Sequence, residues 1–256
     1  MLLAVDIGNT NIVFGCVDDK DEVVLFERIS TDHNATAAEY AVLIKTILEM
    51  NSFNVSDIDD AIMSSVVPSV TNTVKEAVRK LFGVDVTMAG PGVKTGLNIL
   101  IDNPAQLGSD QAVDAVAAIN QYPVPLIIID MGTATTLSVV DSKKNYRGGL
   151  ILTGMKVAAD ALTARTAQLP KVNFEVPPHV IGTNTIDCLK SGILYSNASA
   201  LDGIIDRIED ELGEKCTAVA TGGLSELVVP LCRRKIILDN NLLIKGLAII
   251  YRKNKK

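Results

Sequence analysis

Three short apolar segments open the chain, and turn-forming residues separate them. These segments are rich in β-branched or other apolar side chains, with Gly, Asn, Thr, Asp and Lys between them, and they cover residues 2–5, 12–17 and 23–28. This pattern predicts three strands joined by tight turns, an antiparallel meander. Helices and strands are then predicted to alternate: a helix over 36–50, a strand over 60–67, a helix over 69–82 and a strand over 84–88.

The second half of the chain repeats this order of elements. Residues 90–92 and 102–104 have loop composition, and an Ala-rich helix is predicted over 111–120. Three further strands follow, over 126–130, 135–140 and 146–152. The remaining predictions are helices over 154–169, 185–212 (interrupted near 196–199), 224–232 and 241–252, with strands over 216–220 and 235–238.

The repetition predicts an α/β fold with two similar domains, residues 1–118 and 119–256. Each domain combines strands in hairpins with alternating helices and strands, which predicts a mixed sheet flanked by helices. A cleft between two such domains is a common place for a ligand. We therefore expect the ligand to bind where the two halves face each other.

Composition excludes several classes of protein. The chain is 48% hydrophobic and carries 24 basic against 30 acidic residues, a net charge of −6, with one basic cluster at residues 252–256. This balance argues against a nucleic-acid partner. No apolar run approaches the ~20 residues of a membrane span, and the start of the chain lacks the features of a signal peptide. Four scattered cysteines and two distant histidines predict reduced thiols in the cytoplasm and no zinc site.

Two turns that follow apolar strands contain an Asp-x-Gly pattern with a threonine close behind. The first turn is Asp6-Ile7-Gly8-Asn9-Thr10-Asn11, and the second is Asp130-Met131-Gly132-Thr133. Glycine allows backbone amides to face a phosphate, and an aspartate at the strand end can hold its cation. An ordinary hairpin uses the same residue types, so each turn alone fits either interpretation. Matching turns in two similar halves favour a shared phosphate site.

Three further features are candidates for binding or chemistry. The turn Thr221-Gly222-Gly223 follows an apolar strand and opens a predicted helix, so it could pass close to a nucleoside. Asp110 lies at the entrance of a helix, where it either caps the helix or accepts a proton from a substrate hydroxyl. Arg165 and Lys171 either reach an anionic substrate or lie on the surface. Neither the Walker nor the Rossmann spacing occurs.

These motifs together resemble the type III pantothenate kinases, members of the acetate and sugar kinase, heat-shock-70 and actin superfamily. The resemblance runs nearly from end to end. It covers the turns at 6–11, 130–136 and 221–224, the segments Ser64 to Pro68, Gly90 to Leu97 and Gly108-Ser109-Asp110, and the motifs at 148–149, 161–170, 181–185, 191–192, 202–203 and 245–247. It implies two ribonuclease-H-like domains with a nucleotide cleft between them.

The resemblance also implies an activity, ATP-dependent phosphorylation of pantothenate to 4′-phosphopantothenate at the start of coenzyme A synthesis. Asp110 would be the catalytic proton acceptor, and Asp130 would hold a monovalent cation, K⁺ or NH₄⁺. ATP and Mg²⁺ would contact Asp6, Ile7, Gly8, Asn9, Thr10, Asn11, Ile12 and Val13, and ATP also Thr133, Gly222 and Gly223. The substrate side would comprise Ile101, Gly108, Ser109, Asp110, Gln111, Arg165 and Thr185. The family is homodimeric, with dimerisation helices in the second half.

Two substrate-side positions depart from the family pattern. The family usually has Tyr where this chain has Ile101, and Arg where it has Gln111. Loss of an arginine removes a fixed cation and up to five hydrogen-bond donors from a pocket for an anion. Three hypotheses therefore remain: a pantothenate kinase, a kinase of another small alcohol, and a non-catalytic nucleotide-binding regulator.

Overall fold

The structure is a computed structural model that describes residues 1–90 and 92–255. Pro91, in the predicted loop at 90–92, and Lys256, in the basic cluster, lie outside the described residues. The chain divides into two compact units. The first unit comprises Met1–Leu97, Asp102–Asn120 and the residues from Asn241 onward, and the second comprises Asn98–Ile101 and Gln121–Asn240.

Strands and helices alternate through both units. The strands are β1 (Leu2–Ile7), β2 (Asn11–Val17), β3 (Val23–Ser30), β4 (Asp60–Ser65), β5 (Val86–Met88), β6 (Asn98–Ile99), β7 (Leu126–Met131), β8 (Ala134–Val140), β9 (Asn145–Thr153), β10 (Thr217–Thr221) and β11 (Ile236–Leu238). The α-helices are α1 (Ala37–Met50), α2 (Pro68–Phe82), α3 (Ser109–Gln121), α4 (Met155–Ala164), α5 (Thr185–Leu212), α6 (Ser225–Val228) and α7 (Leu242–Asn254). None of these helices is both long and apolar enough to cross a membrane.

The first unit contains a five-stranded sheet in the order β3-β2-β1-β4-β5. The first three strands pair antiparallel, which confirms the predicted meander, and β4 pairs parallel with β1 and with β5. Alternate residues of a strand face opposite sides of a sheet. Leu3, Val5 and Ile7 accordingly belong to a core with α1 and α2, whereas Leu2 and Ala4 pack with α3 and α7. Helices therefore cover both faces of this sheet.

The second unit contains a six-stranded sheet in the order β11-β10-β7-β8-β9-β6. Strands β7, β8 and β9 form a second antiparallel meander, and β10 pairs parallel with β7 and with β11. Its core joins apolar residues of β7, β8 and β10 to α5. The α/β class, with two mixed sheets flanked by helices, is thus confirmed.

The two units differ from the predicted division of the chain at residues 98–101, at 119–120 and from Asn241 onward. The prediction assigns residues 241–252 to the second half, but α7 packs on the first sheet through Ile244, Leu247 and Ile250. Residues 98–101 lie in the second unit because β6 pairs with β9. The strand β6 is too short to leave a periodic signal in the sequence.

Three helix predictions need correction. The helix predicted over 154–169 ends at Ala164. Met155 is the one buried residue of this helix, and a helix with so little tertiary packing is barely stable. The interruption predicted near 196–199 is wrong, since Leu194, Ala198 and Leu201 keep α5 continuous by packing in the core. The helix predicted over 224–232 is short α6 followed by a 3₁₀ turn at Val229–Leu231.

A buried carboxylate joins α5 to β10 in the second unit. Glu209 accepts hydrogen bonds from Lys215 Nζ at 2.7 Å and from the Cys216 amide at 3.0 Å, and its Oε1 lies 2.6 Å from an Arg234 nitrogen. Burial alone would raise the pKa of Glu209, but these three donors outweigh it and lower the pKa below its ordinary value. The ionised form therefore stabilises the folded state.

Close packing of α7 against α3 generates a first prediction. A Cβ atom on Gly246 would overlap the carbonyl oxygen of Val113, so we expect Gly246→Ala to destabilise the protein by about 1–3 kcal/mol. The control is Gly192→Ala in α5, where a Cβ atom would meet nothing within 4 Å. Alanine should there be neutral or stabilise by up to ~1 kcal/mol. Urea unfolding at one protein concentration measures both; equal stabilities would contradict this packing.

The Glu209 cluster generates a second prediction. A carboxylate whose pKa is lowered by folding stabilises the protein above its unfolded pKa, ~4.3, and loses that effect as the pH falls through the folded value. We expect Glu209→Gln to cost about 1–3 kcal/mol at pH 7 and progressively less below about pH 4.3. Exposed Glu211→Gln on the same helix is the control. Thermal unfolding across this pH range measures the difference, and a pH-independent cost would contradict the assigned role.

Candidate active site

The first Asp-x-Gly turn lies at the carboxyl end of β1. Parallel pairing places Asp6 opposite Ser64 of β4, and Ser64 Oγ donates a 2.6 Å hydrogen bond to Asp6 Oδ1. Both side chains are buried, Asp6 with 7% of its surface exposed. A buried carboxylate needs such a donor. The contact therefore holds Asp6 in one orientation at the strand end.

The rest of this turn exposes polar groups and buries apolar ones. The Gly8 amide donates to the Asn11 carbonyl at 3.0 Å, and Thr31 Oγ1 donates to the Gly8 carbonyl at 2.7 Å. Asn9 and Thr10 are exposed, and Asn11 and Val13 are half-buried, whereas Ile7 and Ile12 are core residues. The exposed part of the turn is therefore the part able to contact a ligand.

The predicted catalytic residue lies at the start of α3, in the same unit. Ser109 Oγ donates to the Ser65 carbonyl at 3.3 Å, which joins α3 to the end of β4. Asp110 is half-buried, and its Oδ1 accepts a 2.9 Å hydrogen bond from the Gln111 amide. A Cβ atom on Gly108 would overlap that same carboxylate oxygen, so glycine leaves room for it. The contact with the Gln111 amide and a catalytic role are compatible, because the carboxylate has two oxygens.

The end of β4 thus contacts both acidic elements of the first unit. Ser64 binds Asp6, and the next residue, Ser65, binds the first residue of α3. The predicted residues Gly108, Ser109, Asp110 and Gln111 accordingly lie beside the first turn. Residues 64–68 belong to a predicted strand end and to the resemblance, but neither serine has a predicted functional role. Their position at a strand end next to a polar turn was the available signal.

The second and third turns meet in the second unit. Pairing of β7 with β10 places Asp130 opposite Thr221, and the chain then turns at Gly222 with φ +90°. A Cβ atom on Gly222 would lie 2.5 Å from Asp130 Oδ1. Glycine therefore keeps open the space beside this carboxylate. Thr133 and Gly223 are exposed, in the turns that follow β7 and β10.

A cavity of about 390 Å³ lies next to the third turn. Leu224, the residue after Gly223, forms part of its wall together with α4, α5 and the segment after α4. Its polar lining consists of Lys156, Asp160, Thr163, Lys171 and Asn173, and Phe174, Leu189 and Ile193 are among its apolar lining residues. Of these residues, Lys171 was predicted as a possible substrate contact, whereas Thr163 and Leu224 belong to motifs of the resemblance without a predicted role. Contacts among separate segments leave no local pattern that predicts the others.

The remaining predicted substrate residues are dispersed over the second unit. Arg165 is exposed at the end of α4, and Thr185 is exposed as the first residue of α5. Ile101 is half-buried, and a Cβ atom on Gly148 would lie 3.6 Å from its Cγ2. Across residues 1–90 and 92–255, no group of three or more His, Cys, Asp or Glu side chains is arranged to hold a metal.

Comparisons with known proteins agree on one family. A family model described as type III pantothenate kinase matches residues 2–207. Proteins named type III pantothenate kinase are 42% identical to this chain in an Exiguobacterium species, over 256 residues and 100% of both chains, and in Brevibacillus brevis, over 255 residues and 100% of both chains.

A solved structure shares the fold. The activator of the 2-hydroxyisocaproyl-CoA dehydratase from Clostridium difficile, solved with bound ADPNP, superposes with a TM-score of 0.58 at 14% identity, covering 100% of this chain and 98% of that chain. The family model and the full-length relatives are more specific than this structural likeness. The chain belongs to the type III pantothenate kinase family.

Proposed function

We propose that this protein transfers a phosphoryl group from ATP to the hydroxyl of pantothenate, the first step of coenzyme A synthesis. Membership in the family supports the reaction type and the acceptor. The structural observation that carries the proposal is the double contact of β4, with Asp6 through Ser64 and with the start of α3 through Ser109. This arrangement gives one phosphate-side carboxylate and one candidate proton acceptor a common anchor.

Asp110 accepts the proton of the attacking hydroxyl in this proposal. Its half-buried carboxylate is fixed by the Gln111 amide and lies next to Gly108, where no side chain obstructs an incoming alcohol. A positioned carboxylate is a suitable base for a hydroxyl that loses its proton as the new P–O bond forms. The half-exposed position allows Asp110 to reach a small substrate.

Asp6 holds Mg²⁺ in this proposal, and Asp130 holds a monovalent cation, K⁺ or NH₄⁺. Protein sites for Mg²⁺ commonly use one or two carboxylates and complete the shell with phosphate oxygens and water, which fits a single fixed aspartate. Bound ATP supplies the phosphoryl group, and Mg²⁺ neutralises charge on its phosphates. The exposed amides and hydroxyls of Asn9, Thr10 and Thr133 bind phosphate oxygens. Gly222 and Gly223 lie against the nucleoside, whose base and ribose suit the mixed apolar and polar lining of the cavity beside Leu224.

The acceptor side includes Ile101, Gly108, Ser109, Gln111, Arg165 and Thr185. Gln111 offers an uncharged amide where a cation would attract the carboxylate of pantothenate, and Arg165 is the basic residue among these six. This feature favours a second candidate, a kinase of another small alcohol. ATP turnover with pantothenate, compared with a panel of uncharged alcohols, separates the two. Turnover with neither acceptor would favour the nucleotide-binding regulator.

We expect Asp110→Asn to lower kcat about 10²- to 10⁴-fold, because the amide cannot accept the proton. ATP binding, measured by calorimetry with Mg²⁺ present, should remain unchanged. Gly222→Ala should have the opposite profile and weaken ATP binding, since its Cβ atom would crowd Asp130 Oδ1. Full activity in Asp110→Asn would contradict the assignment of the base.

We also propose that the protein is a homodimer that pairs through the second unit. Large apolar side chains are exposed in β9, α4, the start of α5 and the segment between the two helices: Leu150, Ile151, Val157, Leu162, Val176, Val180, Ile181 and Ile186. Apolar surface of this kind is typical of a protein interface. A second copy of the chain is the occupant that the family resemblance implies. The four free thiols suit a cytoplasmic location.

We expect Ile151→Asp to shift the protein towards monomers, because it places a charge in the proposed interface. Ile151 is 79% exposed in the single chain. Met50→Asp is the control, since Met50 of the first unit is 78% exposed and lies outside the proposed surface. Sedimentation equilibrium measures the mass of each variant. A wild-type monomer, or a dimer in Ile151→Asp, would overturn this interface.

A further inference from the structure

Thr31 is a half-buried residue directly after β3, and the sequence predicts no role for it. The last residue of β3, Ser30, pairs antiparallel with Asn11, the first residue of β2. The first Asp-x-Gly turn ends where β2 begins, so this pairing brings Thr31 beside the turn. Both belong to the first unit.

Two hydrogen bonds join Thr31 to the turn. Its hydroxyl donates to the Gly8 carbonyl at 2.7 Å, and its backbone amide donates to the Thr10 carbonyl at 2.9 Å. The Gly8 carbonyl directly precedes the Asn9 amide, and the Thr10 carbonyl ends the next residue. Thr31 therefore fixes both ends of the exposed pair Asn9 and Thr10.

The bond from the Thr31 hydroxyl also determines the direction of the Asn9 amide. The peptide bond between Gly8 and Asn9 is trans, and a planar trans peptide has its carbonyl and its N–H on opposite sides. Because the Gly8 carbonyl points toward Thr31, the Asn9 N–H points away from it. Backbone amides directed outward from a turn are suitable ligands for phosphate oxygens. The same bond keeps the negative end of the Gly8 carbonyl away from such an anion.

The residue after Thr31 is fixed as well. The hydroxyl of Tyr40, in α1, donates to the Asp32 carbonyl at 2.7 Å and accepts from the Asp32 amide at 3.0 Å. Tyr40 is buried in the core between α1, α2 and the first sheet. The backbone of Thr31 is thus held by β3 on one side and by Asp32 on the other, which gives its hydroxyl a defined position.

We propose that Thr31 is a positioning residue for the phosphates of the nucleotide. Its hydroxyl holds the Gly8 carbonyl, and this contact keeps the Asn9 amide directed toward a bound phosphate. The inference rests on the proposed function, because the direction of this amide matters only if the first turn binds phosphate. Thr31 contacts neither substrate and acts through the peptide unit between Gly8 and Asn9.

Thr31→Val in the full-length protein tests this role, because valine is similar in shape to threonine but lacks the hydroxyl. The backbone bond to the Thr10 carbonyl remains possible, so the turn should stay attached to the end of β3. We expect KM for ATP, and the dissociation constant of ATP measured by calorimetry with Mg²⁺ present, to rise about three- to tenfold. Loss of uniform binding raises KM alone, so kcat and KM for pantothenate should change less than about twofold.

Thr31→Ser and Thr46→Val are the matched controls. Serine keeps the hydroxyl, so Thr31→Ser should bind ATP within about twofold of the wild type. Thr46 Oγ1 also donates to a backbone carbonyl, that of Val42 at 2.8 Å, but within α1. Thr46→Val should therefore leave ATP binding unchanged. An equal loss of ATP binding in Thr46→Val would indicate general destabilisation and overturn a specific role for Thr31.

Three further outcomes would overturn the inference: unchanged ATP affinity in Thr31→Val, an equally weakened affinity in Thr31→Ser, and a rise in KM for pantothenate as large as that for ATP. Calorimetry separates the inference from the proposed function, because it needs no turnover. A wild type that binds ATP without phosphorylating pantothenate would overturn the proposed function, and the ATP affinity of Thr31→Val would still decide the role of Thr31. A wild type that does not bind ATP would overturn both.

Discussion

Parallel pairing of β1 with β4 is the constraint on which the first unit depends. Its register places Asp6 beside Ser64, so that a carboxylate with 7% exposure has a hydrogen-bond donor. A buried charge without a donor would cost several kcal/mol. The next residue of β4, Ser65, accepts a hydrogen bond from the hydroxyl of Ser109, the first residue of α3. The position of Asp110 follows from that contact. The sheet therefore orients the candidate chemistry of this unit.

In the second unit, too, a parallel neighbouring strand determines the surroundings of an aspartate at a strand end. Parallel pairing of β7 with β10 brings Gly222 against Asp130 at the ends of the two strands. Here the constraint is steric, since a Cβ atom at Gly222 would enter the space beside the carboxylate. An aspartate at the end of a strand is thus flanked by a strand running in the same direction in both units. In the first unit the residue opposite the aspartate is Ser64, and in the second it is Thr221, which Gly222 follows.

Prediction from sequence succeeded for elements whose own residues determine the pattern of apolar and polar positions. Both meanders were predicted from apolar segments and turn residues, because a half-buried or buried strand imposes its own periodicity. It failed where packing between distant segments determines the outcome. Buried Ala198 and Leu201 keep α5 helical through a stretch of weak helix formers, whereas α4 lacks such contacts beyond Met155 and ends early.

The sequence by itself determined the α/β class, the polar turns at the strand ends and the family, since each of these depends on residues that are close together in the chain. Tertiary structure decided which unit receives α7, how β6 joins the second sheet, and which groups bind the loop at 92–97. Lys94 and Asn254 are 160 residues apart, and closing a loop of that length costs conformational entropy. No local sequence pattern predicts their contact. Periodicity shows that a helix face is buried, but the partner of that face is a property of the folded chain.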